Sequence, residues 1–513
     1  MADTAPEIEI PEPSRGLRGN LGRMKVPPGF AFQMENWLLR YGDFGVRPGF
    51  GQTFGSDINQ RATGFAQYRG QDGELRTVIG TTVGWHKFDA GTDAWIDITG
   101  TALTATVMQK QIFRTFKKGG STILLGINEA DVLQEWDGDA AAYNAAAGSP
   151  PKAVCMGVAF NRVLLGNLLS GSTVSSVAVE VSADLDFESG WGSNVTLLAD
   201  TPGAIVCFAE AGALQTYVIK KDAIYAATAI SGLAPFRYDI IPSTVGMRGP
   251  SSANNIATDS RGFRYWLGED GGAYRFDGVG ITDLGEHIRK YVTDNGSFAS
   301  FGRSFSFVNQ KHNELWMFFP ETGNADCNLA LLINLDNFDA YPFRFDTLRF
   351  SAGMALDAAT GLTVGELAGT IGSQTLTIGE FQSIVPRVIV TDINGQSYMD
   401  VGNIDGSSGI IHSWETGMFQ LGTRRSYKRV EQVDHHYKLS PSSQTVSVQL
   451  GYSEHGEDPS YTAAQDLDVG ATGPYVTGHR QPGRLFSLKK SGTNTDEIIY
   501  RGSVAGVEVD GGR

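Results

Sequence analysis

The chain lacks any apolar run long enough to cross a membrane as a helix. Its opening, MADTAPEIEIPEPSRG, is acidic and proline-rich, without the basic start and apolar stretch of a secretory signal. Both absences predict a protein that is neither inserted in a membrane nor exported by that route. Cysteine is scarce. Cys155, Cys207 and Cys327 each sit in an apolar, strand-like run, and an odd, sparse set is not a disulfide framework. Buried thiols of a protein assembled in a reducing cytoplasm are expected. Basic charge is also short, with 41 Lys and Arg against 56 Asp and Glu and a formal net charge of −15. Such a chain is not expected to grip nucleic acid through its phosphates. No segment sustains a 3.6-residue apolar stripe, so long helices are not expected. Ala140–Ala147 reads as a turn of helix or a loop, and Glu286–Tyr291 as one helical turn.

The motifs of common enzymes are missing too. There is no G-x-S-x-G elbow, P-loop, H-E-x-x-H or C-x-x-C. Gly49, Gly51 and Gly55 miss the dinucleotide spacing by one residue and follow Pro48, which marks a turn. His435 and His436 are neighbours in a strand, so their rings point to opposite faces and cannot share a metal. Asp392-Ile-Asn-Gly395 begins like a calcium loop but lacks the later carboxylates, and reads as a hairpin. The acid pairs Glu269-Asp270 and Glu457-Asp458 are adjacent in sequence, whereas glycoside hydrolysis needs carboxylates on opposite sides of one bond. No catalytic residue, cofactor site or metal site is therefore expected.

What is present is glycine, 64 residues against 19 proline, placed between short apolar runs with no three-residue period. Glycine so placed is turn material, because it takes positive φ without a Cβ clash. Phe65–Tyr68, Arg76–Ile79, Gly84–Phe88 and Trp95–Ile98 read as four strands in series, and the cadence then returns. Second-strand centres align at Ile79, Leu125, Leu165, Val218, Trp266, Trp316 and a looser seventh at Ile389. The first five intervals suit four-stranded propeller blades. Aromatic-Asp-Gly turns, as at Trp136–Gly138 and Phe276–Gly278, close the units. Beyond Trp414 the alternation of Val446, Val448 and Leu450 predicts a two-sheet sandwich.

The chain of 513 residues exceeds what one core serves. The expected fold is all-β: an extended N-terminal arm over 1–45, a propeller of six blades with insertions over 46–410, and a C-terminal β-sandwich over 411–513. Arg424, Arg425, Lys428 and Arg429 form one basic cluster opening the last domain. Only Tyr427 offers a stacking platform beside it, so a subunit contact is favoured over nucleic acid.

Tyr238–Ser252, with its Gly-Pro-Ser turn, then Gly262–Gly278 and Ile288, form a distinctive series. Arg47-Pro-Gly-Phe50, Thr77–Thr81 and Trp95–Thr99 precede it, and Gly483–Phe486 and Val507–Arg513 follow. Together they resemble the tail nozzle, or packaged-DNA stabilisation, proteins of short-tailed bacteriophages, loosely and from about residue 45 onward. The resemblance implies a homohexameric ring in the virion tail, assembled in the host cytoplasm below the head-to-tail adaptor. Its channel would hold and release genomic double-stranded DNA through transient, non-specific contact, with tail fibre or needle proteins as further partners. The chain departs from the pattern in having no clear long insertion for host recognition. The alternative reading is a carbohydrate-binding propeller of a phage tail or cell surface. A weaker one is a glycoside hydrolase with divergent acids.

Overall fold

The computed structural model describes residues 7–10, 12–55, 57–70, 72–89, 91–210, 215–230, 235–310, 312–355, 388–421, 428–438, 443–454, 458–469 and 475–509. Six consecutive four-stranded antiparallel meanders form blades 1 to 6. They begin with the inner strands Ala62–Arg69, Ile112–Lys118, Ala153–Ala159, Ile205–Glu210, Ile256–Thr258 and Phe305–Asn309. Ile79, Leu125, Leu165, Val218, Trp266 and Trp316 all lie in the second strands and are all buried. The chain is a β-propeller with a β-sandwich.

The blade count is seven, not six. Phe350–Ala355, Val388–Asp392 and Ser397–Met399 pair in order, and the fourth strand is Gly51–Thr53 from the N-terminal region. The inner strand of this unit lies beside those of blades 6 and 1, which completes the ring. Ile389, the looser seventh position, sits in its second strand. The unit escapes a sequence count because its outermost strand comes from the other end of the chain. Closure by an N-terminal strand replaces an open edge with ladder hydrogen bonds.

Glycine serves the blades as well as the turns. The Trp85 ring of blade 1 lies where a Cβ on Gly126 of blade 2 would be, 2.4 Å away. Phe208 of blade 4 sits in the same way 2.6 Å from such an atom on Gly157 of blade 3. At the hairpins, Gly138, Gly278 and Gly395 take φ of +94°, +99° and +87°. The preceding carboxylates of Asp137, Asp277 and Asp392 accept turn N–H groups.

The N-terminal segment, expected to extend as an arm, is woven into the sandwich. In the first sheet, Trp37–Arg40 and Asp43–Val46 precede Ile499–Val509, Lys428–Lys438 and Tyr475–Gly483, and Glu7–Ile10 also pairs with Ile499–Val509. The second sheet runs Ala31–Glu35, Ser408–Thr416, Leu485–Asn494, Gln444–Ser453 and Ser460–Tyr461. The reason is apolar: Ala31, Met34, Trp37, Leu38 and Phe44 are all buried and would be exposed in a free arm. Val446, Val448 and Leu450 face the same core. That core continues through Trp414 to Trp316 of blade 6 and Phe350 of blade 7, so sandwich and propeller share one apolar cluster.

The one α-helix among the described residues, α1, spans Glu286–Asn295 between blades 5 and 6. It is longer than the single turn expected, because Ile288 and Val292 anchor it in the blade core.

Candidate functional site

Inner strands of a propeller turn one edge toward the axis, where their carbonyls lack ladder partners. The turn Gly249-Pro-Ser-Ser252 leads a short 3-10 turn, Ala253–Asn255, into this space. Ser251 and Ser252 donate to the carbonyls of Phe301 and Ser304, each at 3.2 Å. Asn255 donates to Leu267 O at 2.8 Å and accepts from Ser306 Oγ at 2.7 Å. So braced, Asn254 reaches from blade 5 to the opposite side, its Nδ2 donating to Thr63 O (3.4 Å) and Gln111 O (3.3 Å). The cavity left beside it is about 160 Å³, with Arg114, Asn254 and Ser306 among its lining. At roughly 30 Å³ per water, that space holds a handful of solvent molecules.

The ring-closing seam beside the axis is cationic. Arg61 and Arg303 both reach Asp326, and Lys110 donates to Ser351 O of blade 7 at 2.7 Å. Burial pushes the Lys110 ammonium down to about 8, and raises the nearby Cys327 thiol to about 12. All three cysteines are free and buried.

The second notable constellation joins the domains. Arg47, fully buried, meets Asp405 with two hydrogen bonds, Nη1–Oδ1 at 2.9 Å and Nη2–Oδ2 at 2.5 Å. Its Nε donates to Asn36 Oδ1 at 2.8 Å, and its plane lies 4.3 Å from the centroid of Phe345. Asn36 in turn donates to the carbonyls of Ile411 (2.6 Å) and Arg344 (3.0 Å). Asn36 has φ +61°, a left-handed conformation that asparagine tolerates. Gly49 allows the chain to pass here, since a Cβ would lie 2.2 Å from Ile404 O. The motif Arg47–Phe50 was visible in the sequence, but its partners Asn36, Arg344 and Asp405 were not.

A third is a buried amine in the sandwich. Lys490 Nζ lies 3.7 Å from the Tyr500 ring centroid, with Trp414 and Tyr437 around it, and donates to Tyr437 Oη at 3.0 Å. Burial holds its pKa well below the usual lysine range. No sequence signal distinguishes this lysine from its neighbour Lys489.

Of the basic cluster, Arg424 and Arg425 lie outside the described residues, as does Tyr427. Lys428 is buried at the start of its strand, and Arg429 is exposed 4.0 Å from Glu431. The two are therefore not on a common surface. His435 is buried between Ser503 Oγ (2.7 Å) and Thr477 Oγ1 (3.0 Å), while His436 is exposed on the other face. Glu269 pairs with Lys221 at 2.7 Å, and Asp270 accepts from Tyr274 Oη at 2.6 Å. Glu457 lies outside the described residues and Asp458 is exposed near Arg23. Among the described residues no three His, Cys, Asp or Glu side chains are grouped to hold a metal ion.

No protein-family model and no curated protein matches the chain. Among solved structures it is similar to BamB from Moraxella catarrhalis, at 10% identity over 77% of this chain and 96% of that one, with a TM-score of 0.36. It is also similar to BBS1N in complex with ARL6DN, at 10% identity over 69% and 97%, with a TM-score of 0.39.

Proposed function

We propose that the chain is a non-enzymatic structural protein of a phage tail, six copies forming the nozzle below the head-to-tail adaptor. One observation carries the reading: the segments that resemble the nozzle family sit at structural joints, not around a cleft. Gly249–Ser252 leads into the axial plug, and Arg47–Phe50 forms the buried junction. A wall subunit that confines packaged DNA needs its two domains held in one orientation. The shared core and the Arg47–Asp405 pair supply that.

With the propeller axis plugged, the DNA channel runs between copies. A net charge of −15 per chain favours an acidic lumen, which repels phosphates and keeps sliding barriers low. Basic groups would then lie at subunit contacts, with Arg429 the exposed member of that set among the described residues, since Lys428 is buried. The test is the mass of the purified chain in solution, alone and with purified adaptor. Six chain masses, and a larger complex with adaptor, are expected. A single-chain mass under both conditions overturns the proposal.

A further inference from the structure

The wall around the propeller axis has the opposite charge balance to the chain as a whole. Across the seven inner strands the cations are Arg69, Arg114, Lys117 and Lys118, and the one acid is Glu210. The whole chain carries 56 acids against 41 bases. Of those side chains Arg114 lines the axial cavity of about 160 Å³, and among the described residues no Asp or Glu lines it. Lys110, which with Arg61 and Arg303 makes the seam beside the axis cationic, precedes Arg114 by four positions. Their backbones are at most about 14 Å apart. Cations gathered around a low-dielectric opening raise the local concentration of anions.

One edge of the Arg114 guanidinium is uncommitted. Its Nη1 donates to Phe113 O at 2.8 Å, the one acceptor it has among the described residues. Arg114 is half-buried, and its Nε and Nη2, unlike the buried Nε of Arg275, keep surface open to solvent. With this same Nε–Nη2 edge Arg40 grips both oxygens of Glu314, at 3.0 and 2.7 Å. Two parallel N–H groups suit two oxygens of one carboxylate or phosphate.

The carbonyls that would repel an anion here are already taken. Thr63 O accepts from Gln111 N at 3.1 Å, and both Thr63 O and Gln111 O accept from Asn254 Nδ2. Phe113 O accepts from Arg114 itself. Ser306 Oγ is committed as a donor to Asn255 Oδ1, so Arg114 supplies the binding.

We propose that the axial cavity binds one compact oxyanion, a phosphate or a small carboxylate, on the Nε–Nη2 edge of Arg114. Size narrows the class. About five waters fill the space, at roughly 30 Å³ each. Sites for larger small molecules begin near 300 Å³, which excludes a nucleotide or a sugar. A halide offers a single centre to two parallel donors and gains less from the fork. The inference stands apart from the nozzle reading, because every residue it uses belongs to one propeller.

The full chain, dialysed into Tris chloride, is titrated by calorimetry with sodium phosphate and separately with sodium acetate. Sodium chloride holds the ionic strength constant, so chloride competes throughout. One site per chain is expected, in the millimolar range, and the tighter of the two anions identifies the kind. Arg114→Lys keeps the charge and loses the fork, and should weaken binding about tenfold. Arg114→Met should abolish it, and Arg114→Lys decides alone if that variant does not fold. Lys221→Met, at an exposed lysine paired with Glu269, should bind as the parent does. The proposal is overturned if neither anion binds the parent or if the folded Arg114 variants bind as tightly as the parent. It is overturned equally if Lys221→Met weakens binding as much as Arg114→Lys.

Discussion

Asp405→Asn keeps the shape of the domain junction and removes only its negative charge. The Arg47 guanidinium then keeps the Asn36 side chain, the Pro48 carbonyl and the Arg344 carbonyl, at 2.8, 3.0 and 3.4 Å, and one amide oxygen at 405, but is buried without a counter-charge. Breaking a buried pair by removing one partner costs about 3–5 kcal/mol, because the surviving charge keeps its desolvation penalty. Replacing both partners together, Arg47→Met with Asp405→Leu, removes that penalty along with the attraction. The double variant should therefore be more stable than Asp405→Leu or Arg47→Met alone, and these three with the parent form a double-mutant cycle. The assay is urea unfolding read by tryptophan fluorescence, since Trp37, Trp316 and Trp414 belong to the core the two domains share. A coupling energy of about 2–3 kcal/mol is expected from the cycle. Additive costs, or single variants each costing less than about 1 kcal/mol, would refute the view that this pair fixes the domains.

Trp316→Ala should cost about 3–5 kcal/mol in the same assay, as a large core truncation between stacked Phe307 and Phe318. Acid should weaken the sandwich. His412 is fully buried, and burial pushes its pKa down to about 4, as it does that of His479. Their unfolded value is about 6.5, so stability is complete above that pH and falls as pH drops toward 4, by up to about 1.4 kcal/mol per pH unit for each histidine. Urea midpoints compared at pH 7 and pH 5 should differ less in His412→Phe than in the parent. Polysaccharide, peptidoglycan and nucleotide substrates should all survive prolonged incubation with the pure chain. Turnover abolished by a single Asp or Glu substitution would contradict the non-enzymatic reading.

The repeat was legible because second strands are the most buried part of each blade, and burial demands apolar residues at blade spacing. Ile79 through Ile389 therefore lined up by inspection. The blade number was not, since Gly51–Thr53 pairs with Ser397–Met399, some 350 residues away, and no local pattern reports such a pairing. Ala31–Glu35 was missed for a related reason. Its burial pattern is not a clean alternation, and its partner strand is Ser408–Thr416. The sandwich strand Gln444–Ser453 was readable because one of its faces is dry and the other wet. At the junction, Arg47 lay in a conspicuous motif, but the carboxylate that explains it is 358 positions away. The polar face of α1 carried a helical period, yet only two apolar residues opposed it, too few to separate a helix from a turn.

In the proposed nozzle, the lumen for DNA lies between copies and not through a propeller. Electron microscopy of the purified chain, alone and with adaptor, tests it most directly. Sixfold rings are expected, with the propeller axes displaced from the ring axis and Asp, Glu and uncharged polar residues facing the central opening. Isolated single chains at every concentration, or rings whose opening is lined mainly by Lys and Arg, would contradict it.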